Sequence, residues 1–216
     1  MILGISASGR KNRMIHQTVE VIATKAGLPF EVISLAGKKI NGCIGCTQCA
    51  SDNICKVKDD WNEIGEKMLK ADIIVFGAPN YYGTINAIGH ACLERTFSFR
   101  HQGAFTLKDK IGITVSTSRS VTVDPVREMI ERFMKSNQMS VLGHVTVKGY
   151  DQCYTCGYGH DCEVGNVVRR HGILEKIGPE HMPADFSDQG DVQNQVAEIV
   201  ELLKSKRSVR EDDKGK

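Results

Sequence analysis

Ile73-Ile74-Val75-Phe76-Gly77-Ala78 runs without a polar side chain into Pro79-Asn80-Tyr81-Tyr82-Gly83-Thr84. A short, continuous apolar run rich in branched residues, stopped by proline, reads as a strand buried on both faces. Upstream of it, Asp60–Lys70 has the pattern of a helix, with Asp60 as its N-cap and Glu63 placed for a capping box. Further upstream are a loop over residues 36–58, a strand over Glu31–Leu35, a helix over Met14–Ala26 and a strand over Leu3–Ser6. Downstream, a helix is expected over Ile88–Phe97 and a strand over Ile111–Ser116. Asp124–Asn137 follows as a helix with Pro125 in its first turn. Val141–Lys148 is the fifth strand, residues 150–183 a long loop, and Gln193–Lys206 the last helix.

Strands alternating with helices predict an α/β fold: a parallel sheet covered on both faces. Right-handed crossovers favour the strand order 2-1-3-4-5. Residues 1–206 are expected to form a single domain, and 207–216 a charged, flexible tail. In such a sheet, ligands bind at the rim where strands end. The loops after strands 1, 3 and 4 are on that rim. So are two cysteine-rich loops, at 41–58 after strand 2 and at 150–183 after strand 5. These two strands are the sheet edges, which puts the cysteine loops at opposite ends of the rim.

The 216 residues are 41% hydrophobic and 25% charged, with a net charge of +2. Nothing in this balance calls for nucleic acid or an anionic membrane, and no apolar run reaches membrane-spanning length. Met1-Ile2-Leu3-Gly4-Ile5 lacks a basic leader region and reads as a first strand. A cytoplasmic location is therefore expected. In a reducing compartment, the eight cysteines point to metal ligands or redox groups rather than to disulfides.

Cys43-x2-Cys46-x2-Cys49-x5-Cys55 is the strongest motif. Four thiolates satisfy a 4Fe–4S cluster, and gaps of two residues recur in ferredoxin-type loops. Zinc also accepts four thiolates, although structural zinc sites usually pair two separated knuckles. A loop of reduced thiols is the third reading. Cys153-x2-Cys156-x5-Cys162 is a similar set of three. A second iron–sulfur cluster, zinc, or thiols without metal all fit it. His160, His171, Cys92, solvent or a partner subunit's residue could complete a ligand shell. Cys92, flanked by Ala91 and Leu93, reads as a buried small residue.

Three rim loops bear on a second ligand. Ser6-Ala7-Ser8-Gly9-Arg10-Lys11-Asn12 joins a strand to a helix N-terminus, where free N–H groups, Ser6, Ser8, Arg10, Lys11 and Asn12 can surround a phosphate. Pro79, Asn80, Tyr81, Tyr82 and Gly83 form a rigid aromatic loop that can lie along an isoalloxazine ring. Ser116, Thr117, Ser118 and Arg119 can close the ring's other side. Each loop, taken alone, can also be an ordinary turn.

These residues together resemble the NAD(P)H-dependent FMN reductase superfamily and, within it, the iron–sulfur flavoproteins of anaerobes. The resemblance covers roughly residues 1–150. It rests on Ser-Ala-Ser-Gly-Arg-Lys, on Gly-Ala-Pro-Asn-Tyr-Tyr-Gly, and on the four-cysteine motif followed by Asp59-Asp60. The chain departs from the wider family at Met14-Ile15, where Asn-Thr or Asn-Ser is common. The resemblance implies a flavodoxin-like three-layer sandwich, FMN, and a 4Fe–4S cluster on Cys43, Cys46, Cys49 and Cys55. It further implies a homodimer or homotetramer, in which one subunit's cluster approaches a neighbour's flavin. Electrons would come from a ferredoxin-like donor or NAD(P)H and pass to a small acceptor. Two rival functions remain: an NAD(P)H-dependent FMN or quinone reductase whose cysteines are structural or bind zinc, and a non-enzymatic redox or metal sensor.

Overall fold

The computed structural model describes residues 1–117 and 124–214, with side chains described as far as Lys206. Its centre is a parallel sheet of β1 (Ile2–Ser6), β2 (Phe30–Ser34), β3 (Ile73–Ala78), β6 (Ile111–Thr117) and β7 (Ser140–Val147). The order is β2-β1-β3-β6-β7, which is the expected 2-1-3-4-5 when the sheet's own strands are counted. Between β3 and β6 the chain adds a small antiparallel hairpin, β4 (Asn80–Tyr81) and β5 (Thr84–Ile85).

Alternate residues of each strand point into two separate cores. On one face Leu3, Ile5, Ile74 and Phe76 pack with α2 (Trp61–Lys70), α3 (Ala87–Glu94) and α4 (Pro125–Ser136) through Ile64, Leu93 and Ile130. On the other, Ile73, Val75, Ile113 and Val145 pack with α1 (Met14–Lys25) and α6 (Gly190–Lys214) through Val19, Ile22, Val196 and Ile199. Two glycines set how closely α1 approaches the sheet. A Cβ at Gly77 would lie 2.7 Å from Ile15 Cγ2, and one at Gly4 would lie 2.6 Å from Val19 Cγ1. With no side chain there, the N-terminal turn of α1 lies against the strand ends that form the rim.

Several local expectations need correcting. Asp60 does not cap α2 through its side chain; its carboxylate accepts from the Lys39 N–H at 2.6 Å. Asp59 takes that place, accepting from the Trp61 N–H at 3.0 Å. Glu63 pairs with Lys67 instead of closing a capping box. The helix expected to reach Phe97 ends at Glu94 and tightens into a 3₁₀ turn over Arg95–Phe99. The last helix runs from Gly190 to Lys214, so the segment from 207 to 214 continues it. A short helix, α5 (Asn166–His171), interrupts the 150–183 loop. Asp124 caps α4 as its position suggests, accepting from the Arg127 N–H at 2.9 Å with Pro125 in the first turn. Among the described residues no helix is long and apolar enough to cross a membrane.

Candidate functional site

The rim carries a cleft of about 750 Å³. One wall is the loop from β1 into α1, with Ser8, Arg10, Arg13, Met14 and Ile15. The opposite wall is Pro79, Asn80, Tyr81 and Tyr82, and Thr117 lies at the end of β6. The stretch Gly149–Cys153, together with Asn166, closes the side toward β7.

The α1 end of this cleft suits an anion. Arg13 sits at the N-cap in extended conformation and its side chain makes no capping bond. No acidic residue occupies the first turn. The first-turn N–H groups of a helix have no partner within the helix, and its dipole favours negative charge there. Arg10, held 5.6 Å from the ring centroid of Tyr150, adds a full positive charge. Ser8 braces the loop, its Oγ accepting from the Arg10 N–H at 3.1 Å. These features fit the phosphate of a flavin mononucleotide.

The facing loop is fixed by its own hydrogen bonds. Asn80 Oδ1 accepts from the Gly83 N–H at 2.9 Å, with Tyr82 and Gly83 in the left-handed region at φ 52° and 77°. The Asn80 N–H donates to Thr117 Oγ1 at 3.1 Å. Asn86 Nδ2 donates to the Ala7 carbonyl at 2.6 Å, tying the two loops together. Tyr82 is fully exposed, so an aromatic side chain stands at the cleft edge.

Not every residue expected to hold the cofactor faces this cleft. Ser6 and Ser116 are fully buried behind it. Among the described residues Ser6 Oγ has no hydrogen-bond partner. Ser116 donates to Asp124 Oδ2 and lies 3.2 Å from His144 Nε2. Lys11 and Asn12 belong to the same turn as Ser8 but are exposed, outside the cleft wall. Gly83 serves the turn through its N–H. Ser118 and Arg119 lie outside the described residues.

Cys43, Cys46, Cys49 and Cys55 surround one small hollow together with Arg95, Phe97 and Ser98. The loop is held there by a buried arginine. The Arg95 Nε–H donates to Cys55 Sγ at 3.1 Å. One terminal nitrogen donates to the Asn41 carbonyl at 2.9 Å and to Asp59 Oδ2 at 2.8 Å; the other donates to the Val57 carbonyl at 2.9 Å. The guanidinium also lies 5.0 Å from the ring centroid of Trp61. Burial opposes the charge on Asp59, but the hydrogen bonds from Arg95, Asn41 and Trp61 outweigh it and hold the carboxyl below its ordinary range. On the far side, His101 Nε2 lies 3.2 Å from Cys49 Sγ. Asn53 fixes the His101 backbone through bonds of 2.7 and 3.1 Å. Burial, with lesser repulsion from the other three thiols, pushes the Cys49 thiol up.

Zinc and a cubane cluster both take four thiolates, and the four cysteines lining this hollow supply that number. The Arg95 Nε–H and the His101 Nε2 each already reach a sulfur. Hydrogen bonds of that kind set the reduction potential of such clusters.

Arg95, His101 and His144 carry no local sequence signal, because each acts across a long chain separation. Cys92, as expected, is a buried small residue; burial pushes its thiol up to about 12. The C-terminal set is looser. Cys156 is exposed, and Cys153 and Cys162 are half-buried. Of the candidate extra ligands, His171 sits 3.2 Å from the Tyr154 hydroxyl and His160 3.6 Å from Asp161.

Comparison with known proteins follows the same lines. Residues 1–151 match the NADPH-dependent FMN reductase family. An iron–sulfur flavoprotein of Methanocaldococcus jannaschii is 33% identical over 148 residues, covering 66% of this chain and 75% of that protein. An iron–sulfur flavoprotein of Methanosarcina thermophila is 30% identical over 147 residues, covering 66% and 76%. Among solved structures, RosB with a bound 8-demethyl-8-formylriboflavin-5'-phosphate intermediate aligns with a TM-score of 0.60 at 15% identity, covering 96% of this chain and 80% of that one. A flavodoxin-fold, WrbA-like protein from Agrobacterium tumefaciens aligns at 0.54 and 12% identity, covering 96% and 97%. The structural matches speak for the flavodoxin-like fold, and the sequence matches for kinship. The chain is thus a flavin-dependent oxidoreductase that belongs to the NADPH-dependent FMN reductase family and, within it, to the iron–sulfur flavoproteins.

Proposed function

We propose that this protein holds FMN in the rim cleft and a 4Fe–4S cluster on Cys43, Cys46, Cys49 and Cys55, and passes electrons between them. The observation that carries this reading is the four-thiol hollow with Arg95 at one sulfur and His101 at another, on a loop that ends at the flavodoxin-type rim. Together the two groups supply conversion between one-electron and two-electron transfer. The chain's own residues bind and orient. Arg10, Arg13 and the first turn of α1 take the phosphate. Pro79, Asn80, Tyr81 and Tyr82 support the ring, and Arg95 and His101 donate to cluster thiolates.

Cys43 and Cys46 are exposed, and Ile44 between them is 70% exposed. That puts one edge of the cluster at the surface of this domain of residues 1–206. There it can meet a ferredoxin-like donor, or a neighbour's flavin in a homodimer or homotetramer. NAD(P)H would enter at the flavin instead. Electrons leave to a small acceptor, in keeping with a reducing cytoplasm.

Anaerobic purification followed by flavin, iron, sulfide and zinc analysis tests the assignment. About four irons and four sulfides per chain, with flavin, support it. Flavin with zinc or with no metal would leave a plain NAD(P)H-dependent FMN or quinone reductase.

A further inference from the structure

The C-terminal cysteine loop reaches the flavin cleft. Cys153 lines that cleft along with Asn80 and Thr117, whereas Cys156 is exposed. We propose that Cys153 and Cys156 are a redox-active dithiol that carries two electrons between the cleft and an external disulfide. The inference rests on the flavin reading of the cleft.

The local structure holds the two residues together. Cys153 is the middle residue of a 3₁₀ turn, Gln152–Tyr154. Its neighbour Tyr154 is buried, and the Tyr154 hydroxyl lies 3.2 Å from His171 Nε2 and accepts from Arg170 at 3.1 Å. The chain then folds back, with Gly157 at φ 87°. Cys156 Sγ donates to the Cys153 carbonyl at 3.4 Å, and the Tyr158 N–H donates to Cys156 Sγ at 3.4 Å. Gly159 closes the fold so tightly that a Cβ there would lie 1.9 Å from the Cys153 oxygen. A two-residue gap is the spacing used by dithiol redox motifs. Cys162 belongs to the next turn, its carbonyl accepting from the Gly165 N–H at 2.8 Å.

The chemistry balances without another reagent. Reduced flavin gives up two electrons and two protons, the Cys153–Cys156 S–S bond breaks, and each sulfur ends as a thiol. Exposed Cys156, as thiolate, then attacks a disulfide of a small molecule or protein. The mixed disulfide is resolved by Cys153, which restores the internal bridge and releases two substrate thiols.

The test uses the flavin-loaded full chain. It is oxidised anaerobically with glutathione disulfide, desalted and titrated with dithionite, with cysteines trapped by iodoacetamide and mapped by mass spectrometry. Expected is a Cys153–Cys156 bridge in the oxidised sample. Full flavin bleaching should need one more two-electron equivalent than in Cys153→Ser or Cys156→Ser. Flavin-loaded protein in which both thiols stay alkylatable, or in which Cys162 forms the bridge, would overturn the dithiol alone. So would stoichiometric zinc or iron lost on Cys153→Ser. A bridge in a chain that binds no flavin would overturn the relay and the flavin reading together.

Discussion

Arg95 and Cys55 are joined by a hydrogen bond of 3.1 Å from the guanidinium Nε–H to the sulfur. The same guanidinium is ion-paired with Asp59, and both side chains are almost fully buried. A buried charge pair of this kind is a weak source of net stability, but it is costly to break. In this protein it joins the cysteine loop, the start of α2 and the end of α3.

Removing one partner leaves the other charged and buried. Arg95→Met is expected to destabilise the protein by about 3–5 kcal/mol, read from urea denaturation. It should also lower the iron retained per chain. Arg95→Lys keeps the charge but loses the planar fork, and should recover only part of both losses. Unchanged stability in Arg95→Met would show that the pair does not hold the loop.

Stability should fall in acid in a defined direction. Asp59 and Asp124 both have carboxyls held below their ordinary range, against the effect of burial: Asp59 by Arg95, Asn41 and Trp61, Asp124 by His144, Arg127 and Ser116. Their contribution is therefore complete above the unfolded value of about 3.9 and is lost as pH falls through the lower folded values. Denaturation midpoints measured across the acid range should drop there, and Asp59→Asn should flatten the slope.

Gly77→Ala tests the seating of α1. The added Cβ would meet Ile15 Cγ2 at 2.7 Å and Val19 Cγ2 at 2.8 Å. Overpacking of this kind costs about 1–3 kcal/mol, seen as a lower melting temperature. Because α1 starts at the cleft, FMN affinity should fall with it. A stabilised variant with unaltered FMN binding would contradict the close approach described above.

Arg10→Ala separates the phosphate from the ring. Loss of a hydrogen bond to a charged group costs about 1.5–3 kcal/mol, or about 10- to 150-fold in affinity. FMN binding, followed by flavin fluorescence, should weaken by that factor while riboflavin binding stays the same. Equal losses for both flavins would move the phosphate away from Arg10.

The sheet was legible because its signals are local. Ile73–Ala78 is a continuous apolar run, Ile111, Ile113 and Val115 alternate with Gly112, Thr114 and Ser116, and the rule that strand ends form the binding rim places Ser8, Asn80 and Thr117 on it. The four-cysteine spacing is local as well. What could not be read is tertiary. Arg95 looks like any surface arginine until the fold buries it against Asp59. Ser116 sits next to Thr117 in sequence, but strand alternation turns it inward to Asp124 and His144. The exchange of Asp60 for Asp59 at the start of α2 has the same origin: Lys39, distant in sequence, draws the Asp60 carboxylate away.

Trp61 is the chain's only tryptophan. Its indole N–H donates to the Cys92 carbonyl at 2.8 Å, and its ring lies 5.3 Å from that of Phe99, with Arg95 over it. The guanidinium that touches the indole also touches Cys55. The protein thus carries its own optical reporter: any rearrangement of the cysteine loop that moves Arg95 changes the surroundings of a single emitting ring, with no label attached.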